Sequence, residues 1–255
     1  DLNGVPIDNQ IQIYSADYSR TGQSTTPSVI ASQDGGFIVT FSKRNDPNSE
    51  NKDENPIMNQ SFNGSGTAVT EVKEIAHSGW SGDAHYTPLV SGNNILTYTD
   101  YDSERSGIYA KLTDSTNTPI GDSFRVNGVT KNTEFSPSTA ELSDGNVVFV
   151  WESGIKNLAS SISGRVFSPV DNSLGNEFII NSGNYGPGGH SPKITSLENG
   201  NFVVVWSGDD GNVNNKDDVF GKILNSSGEV INNLALGNSI NNITCLLYTS
   251  DAADD

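Results

Sequence analysis

The chain has 255 residues, 33% of them hydrophobic, and a formal net charge of −17 from 31 acidic against 14 basic side chains. A surface this acidic repels nucleic acid and anionic lipid, which excludes nucleic acid as a partner. No run approaches the ~20 apolar residues of a membrane span, which excludes membrane insertion through a helix. Sustained 3.6-period apolar stripes are lacking, so the composition points to short strands in one large all-β domain or two small ones.

Residues 1–14 read as the closing strand of a unit that begins earlier. Ile7-Asp-Asn-Gln-Ile11-Gln-Ile13 matches Ser123-Phe124-Arg-Val126-Asn127 and Glu177-Phe178-Ile-Ile180-Asn181, each at the end of a later unit. The chain starts at Asp1 without methionine and is expected to be part of a larger polypeptide. Four units follow, over about 20–76, 84–130, 134–182 and 189–240. Each is marked by a proline, Pro27, Pro88, Pro137 and Pro192, at spacings of 61, 49 and 55 residues. Proline has no N–H for a ladder bond and belongs at a strand start or a sheet edge.

After each proline comes a turn signal: Asp34-Gly35-Gly36, Gly92-Asn93-Asn94, Asp144-Gly145-Asn146 and Asn199-Gly200-Asn201. Such residues tolerate positive φ and make hairpins. The second strands are the most apolar: Phe37–Phe41, Ile95–Tyr98, Val147–Trp151 and Phe202–Trp206. Three of these end in an aromatic fourteen residues after the proline, and the second unit is four residues shorter, which predicts a trimmed first hairpin. Continuous β-branched runs are expected to be buried on both faces. Third strands are expected at Met58–Phe62, Ile108–Leu112, Ile162–Phe167 and Val219–Leu224.

Four strands per repeat at a period of about fifty predict an all-β fold, a partial β-propeller of about four four-stranded antiparallel blades. Tandem β-sandwiches are the competing arrangement, but they need about seven strands each. Residues 245–255, beginning at Cys245, resemble the translation of a transposase-type sequencing adapter and read as a non-native tail. Without them the chain has no cysteine, and removing Asp251, Asp254 and Asp255 takes the charge from −17 to −14.

The phrase Pro-Ser-x-x-Ala-x-x-Asp-Gly-Asn/Gly-x-Val-Val-x-Trp, followed by Gly-x-x-Phe and Glu-Phe-x-x-Asn, resembles repeats of large secreted bacterial proteins. These are of the RTX and hemolysin-type calcium-binding kind, including adhesin-like surface proteins. The resemblance covers residues 1–244 and implies an extracellular or cell-surface, propeller-like module with no particular chemistry.

Two loops carry a cation-binding pattern. Asp46-x-Asn48-x-Glu50-Asn51-Lys-Asp-Glu54 and Asp210-x-Asn212-x-Asn214-Asn215-Lys-Asp-Asp218 place oxygen side chains at positions 1, 3, 5 and 9. Such spacing can converge on Ca2+, with Asn51 and Asn215 where a calcium loop prefers glycine for its left-handed turn. Asp100-Tyr-Asp102-Ser-Glu104 is a shorter version. The bland reading is that these are solvated tips of an acidic protein.

Catalytic motifs are harder to find. His85 and His190 sit three and two residues before Pro88 and Pro192, which reads as a shared structural position. His77 lies in a polar loop, and three histidines without cysteine ligands or H-E-x-x-H spacing speak against zinc. No G-x-S-x-G elbow occurs. Trp151 and Trp206 end apolar strands and are expected in the core, whereas Trp80, in Ser78-Gly-Trp80-Ser-Gly, is a candidate ligand platform. The expected function is a non-catalytic binding or scaffold module, recognising a surface glycan or protein, with calcium-stabilised loops. The alternative is a glycan-active propeller enzyme of glycosidase or sialidase type. Carboxylates gathered at the central mouth would favour the enzyme.

Overall fold

The computed structural model describes residues 13, 27–32, 34–42, 55–78, 83–101, 105–154, 160–181, 190–209 and 217–234. Sixteen strands form four antiparallel sheets among them. The first sheet holds β1 (Ser28–Ala31), β2 (Phe37–Ser42), β3 (Asn55–Phe62) and β4 (Lys73–Ser78). The second holds β5 (His85–Pro88), β6 (Asn94–Tyr101), β7 (Ser106–Thr113) and β8 (Pro119–Arg125). The third holds β9 (Thr133–Glu141), β10 (Val147–Gly154), β11 (Ser161–Ser168) and β12 (Ser173–Ile179). The fourth holds β13 (His190–Ser196), β14 (Phe202–Asp209), β15 (Asp217–Leu224) and β16 (Val230–Leu234).

Within each sheet the strands pair in chain order, as hairpins dictate. The first strands of successive sheets lie beside one another, β1 by β5, β5 by β9 and β9 by β13. The sheets therefore radiate from a common inner line, and their faces meet. Each meeting is an apolar layer. Ile38, Ile57 and Ile75 pack on Tyr86, Leu96 and Tyr98. Leu89, Ile95, Ile108 and Val126 pack on Phe149, Trp151 and Phe167. Val148, Val150 and Ile162 pack on Phe202, Val204 and Trp206. Each fully buried side chain of this size contributes roughly 1.5–3 kcal/mol relative to exposure.

The outer face of the first sheet is covered in part by Ile13, against Val39, Phe41 and Phe62. β14 differs from the other second strands. Phe202, Val204 and Trp206 are buried, but Val203 and Val205 between them are only half-buried. The expectation of two buried faces fails there, because among the described residues no sheet packs on its outer side.

The hairpin turns fix the true register of the repeat. Ser32, Leu89, Leu142 and Leu197 each donate an N–H to the carbonyl four residues on. Gly35, Gly92, Gly145 and Gly200 sit at φ of 81°, 87°, 80° and 81°, the left-handed region that favours glycine. Asp34, Asp144 and Asn199 brace these turns by accepting the N–H two residues on. Counted from the turns, Phe41, Tyr98, Trp151 and Trp206 occupy one position, nine residues past the turn's first residue.

This corrects the proline-based alignment. Pro88 pairs with Asn94 at the end of β5, and Ala84 is the counterpart of Pro137 and Pro192. The second hairpin is not trimmed. Nor do the two histidines share a position: His85 corresponds to Ser138 and Lys193, and His190 to Phe135.

Hydrogen bonds also cross between sheets. Arg165 donates to the Val126 carbonyl at 2.7 Å, and its counterpart Lys222 donates to the Ile180 carbonyl at 2.7 Å. At the first junction, the Asn117 amide donates to Ser61 Oγ at 2.7 Å and accepts from the Tyr86 hydroxyl, which also contacts Thr113. Burial pushes Tyr86 up to about 12.

Candidate active site at the loop-bearing face

The two ends of the sheets are unlike. At one end the strands turn back through tight hairpins. At the other the second strand of each sheet passes to the third, and the chain crosses into the next sheet. The inner strands β5, β9 and β13 begin at this second end.

Their entry is locally strained. Asp83, Ser136 and Ser191 are equivalent in register and all have positive φ, at 63°, 50° and 52°. For L residues that conformation is costly, and it clusters where structure serves function. In β9 the ladder runs Phe135 to Glu152 and then Ser138 to Val150, so Ser136 and Pro137 share one partner, Trp151. In β13, Ser191 and Pro192 likewise share Trp206. The bulge frees the proline from ladder duty. Ser136 N–H donates across the sheet junction to Asp83 Oδ2 at 3.3 Å.

Several titratable groups converge on this end. Glu134, opposite Ser153 in register, is 0% exposed. Ser153 Oγ donates to its Oε1 at 3.1 Å and is itself held by Asn132. The Trp151 indole is close enough to favour the ionised form of this carboxyl, yet its N–H makes no hydrogen bond of good geometry, and Glu134 Oε2 has no partner. Burial dominates and pushes Glu134 up to about 7, with Glu177 adding to the rise and Arg125 opposing it.

At the next junction His190 Nδ1 lies 2.8 Å from Glu152 Oε1, with side-chain exposures of 45% and 13%. Ser207 Oγ donates to the His190 carbonyl at 3.3 Å. His85 opens β5, with Thr87 Oγ1 3.4 Å from its Nδ1. Burial, helped by the Lys193 charge, lowers His85 to about 4, so it is neutral over most of the pH range. A shallow cavity of 290 Å³, lined by Leu112, Ile120 and Phe124 among others, lies on the outer strands instead and holds none of these groups.

Most of the sequence-derived site residues lie outside the described residues. These are Asp46, Asn48, Glu50, Glu54, Asp102, Glu104, Asp210, Asn212, Asn214 and the candidate platform Trp80. Asp218 falls on β15 opposite Gly208. Asp100 is the last residue but one of β6, opposite Gly107, its Oδ1 accepting the Tyr101 N–H at 2.7 Å. Among the described residues no group of three His, Cys, Asp or Glu side chains could hold a metal ion. Trp151 and Trp206 are 0% and 7% exposed and belong to the core. The groups that sequence reasoning missed are Glu134 and the Glu152–His190 pair. The only signal for them was their departure from the repeat, and it is legible only in the turn-based register.

No protein-family model matches the sequence, and neither does any curated protein. Solved structures do match the fold. An endo-arabinase from Bacteroides thetaiotaomicron aligns over 84% of this chain and 78% of its own, at 18% identity and a TM-score of 0.53. An α-L-arabinofuranosidase of Fusarium graminearum, solved with arabinobiose, aligns over 82% and 65%, at 11% identity and 0.55. An ulvan lyase aligns over 82% and 58%, at 9% identity and 0.55.

The fold is a β-propeller, and the four sheets are its blades. None of these three structures is an RTX- or hemolysin-type protein. They also overturn two expectations. A non-catalytic binding or scaffold module was expected, but these three structures are of enzymes acting on glycans. The lean against an enzyme falls with it. The physical reason for the error is that an acidic, repetitive sequence reports the surface and the blade, not the chemistry at the mouth.

Proposed function

We propose that this chain is the propeller of a glycan-active enzyme that hydrolyses glycosidic bonds at the loop-bearing mouth. One observation carries the reading. At the ends of adjoining blades, carboxyl groups gather from different strands. Glu134 keeps its proton up to about pH 7 through burial, whereas Glu152 is held against an imidazole and Asp83 against a backbone N–H. Hydrolysis of a glycoside commonly rests on a pair of carboxyl groups flanking the bond that is cut. In this reading Asp83 and Glu152, from blades 2 and 3, are that pair. Glu134, fully buried behind them, sets the charge of the blade 2–blade 3 junction. The likeness to arabinan-degrading propellers raises the expectation of a glycan substrate by analogy of fold.

The test is a panel of plant and algal polysaccharides, arabinan first, incubated with the full chain. New reducing ends report cleavage, and ultraviolet absorbance of unsaturated sugars separates elimination from hydrolysis. Cleavage should fall by on the order of 10²-fold or more in Asp83→Asn and Glu152→Gln. A folded chain that cleaves nothing on the panel, or variants as active as the parent, would sink the reading. Unsaturated products would replace hydrolysis by elimination.

A further inference from the structure

We propose that His190 and Glu152 form a proton-transfer dyad, with Glu152 fixing the imidazole and His190 Nε2 accepting the proton of the attacking water. The inference rests on the hydrolytic reading above and names its base.

The repeats serve as an internal control for what the fold requires. Positions that hold the blade together recur: an aromatic at 41, 98, 151 and 206, a left-handed residue at 83, 136 and 191, and a cationic strap at 165 and 222. The dyad does not recur. In register with His190 stands Phe135, and in register with Glu152 stand Ser42, Thr99 and Ser207. The other blades fold without the pair, so packing alone does not explain it.

The geometry suits a base. Glu152 lies between Phe135 and Ile162 on the neighbouring strands. Its side chain is only 13% exposed, and so water screens its attraction for the imidazole weakly. The His190 backbone is pinned by Ser207 on one side and by the left-handed Ser191 and rigid Pro192 on the other. With Nδ1 directed at the carboxylate, the neutral ring carries its proton there, which leaves the Nε2 lone pair to accept one. Nε2 makes no hydrogen bond among the described residues. By contrast, His77 meets Glu74 at 2.8 Å on one strand, but both side chains are well exposed, at 58% and 44%, and solvent screens them.

The step balances without a further reagent. A water O–H proton moves to Nε2 as the water oxygen bonds the anomeric carbon. The glycosidic C–O electrons pass to the leaving oxygen, which takes a proton from solvent. His190 then returns its proton to solvent, with Glu152 stabilising the imidazolium in between.

The test uses p-nitrophenyl acetate, an activated ester whose cleavage needs only a base or nucleophile, so it reads the dyad even where no glycan is cleaved. With the full chain, His190→Gln should lower the protein-dependent rate by on the order of 10²-fold. Glu152→Gln, which keeps the shape of the partner, should lower it by a smaller but clear factor, and His77→Gln should leave it unchanged. On any glycan the chain cleaves, His190→Gln should lower kcat with KM held. A His190→Gln chain that keeps the full ester rate, or a loss confined to KM, overturns the dyad and leaves an interblade ion pair. If Glu152→Gln has no effect, the carboxylate plays no part and the proposal fails. Ester cleavage that depends on His190 without any glycan cleavage would instead keep the dyad and remove the glycan reading.

Discussion

At the scale of single residues, Glu134 and His85 make opposite statements about pH. Glu134 is raised to about 7 from an ordinary 4.5, so the folded chain holds its proton more tightly than the unfolded chain. Its contribution is full below the unfolded value and is lost as pH rises through about 7. The loss is about 3 kcal/mol. Urea unfolding at about pH 5 and about pH 8 should show this loss in the parent and its removal in Glu134→Gln. Equal pH slopes in the two chains would refute it. His85, lowered to about 4 by burial and Lys193, contributes above its ordinary 6.5, and that contribution is lost as pH falls through about 4. His85→Asn should therefore soften acid unfolding and leave the alkaline side alone. Neither behaviour was legible in the sequence. Glu134 reads as one acid in a polar stretch until pairing places it opposite Ser153 and under Trp151. His190 and Glu152 lie 38 residues apart, and only the packing of blade 4 on blade 3 joins them.

At the scale of elements, the blades are joined by straps as well as by apolar layers. Removing the charge-assisted bond of Arg165 or Lys222, as in Arg165→Met and Lys222→Met, should cost about 1–2 kcal/mol each. The effects should add in the double variant, because the bonds lie at different junctions. Markedly non-additive denaturation midpoints would show that the junctions communicate. Gly228 makes a harder case. Its φ is 83°, and an added Cβ would lie 2.5 Å from the Phe178 ring, so Gly228→Ala should cost about 1–3 kcal/mol. The strands and turns were readable in advance, since Asp34-Gly35, Asp144-Gly145 and Asn199-Gly200 sit between apolar runs. The register was not. Proline serves equally at a bulge, as in Pro137, and at a strand end, as in Pro88, whereas the turn glycine has one conformational job and anchors the count.

At the scale of the whole molecule, the four-bladed reading followed from the period of about fifty residues, because a blade must bury both faces on neighbours. Function did not follow, because charge and repetition describe solubility and stacking. The proposed calcium loops are tested at this scale. If Asp46–Glu54 and Asp210–Asp218 bind the ion, the full chain should melt higher in calcium than in chelator, by the equivalent of ~2.7 kcal/mol at a hundredfold excess over Kd. Magnesium should not substitute, and Asp46→Ala with Asp210→Ala should abolish the rise. Identical melts in all three buffers would return the loops to plain solvation. The straps carry one more consequence. Arg165 reaches from blade 3 to the last carbonyls of blade 2, and Lys222 from blade 4 to those of blade 3, so both bonds point toward the N-terminus. Under a pulling force these junctions are thus separate mechanical elements. Tension on the C-terminus should peel blade 4 away by breaking one strap and one apolar layer at a time, a stepwise trace that optical tweezers can resolve. In Lys222→Met the first step should come at lower force while the later ones keep theirs.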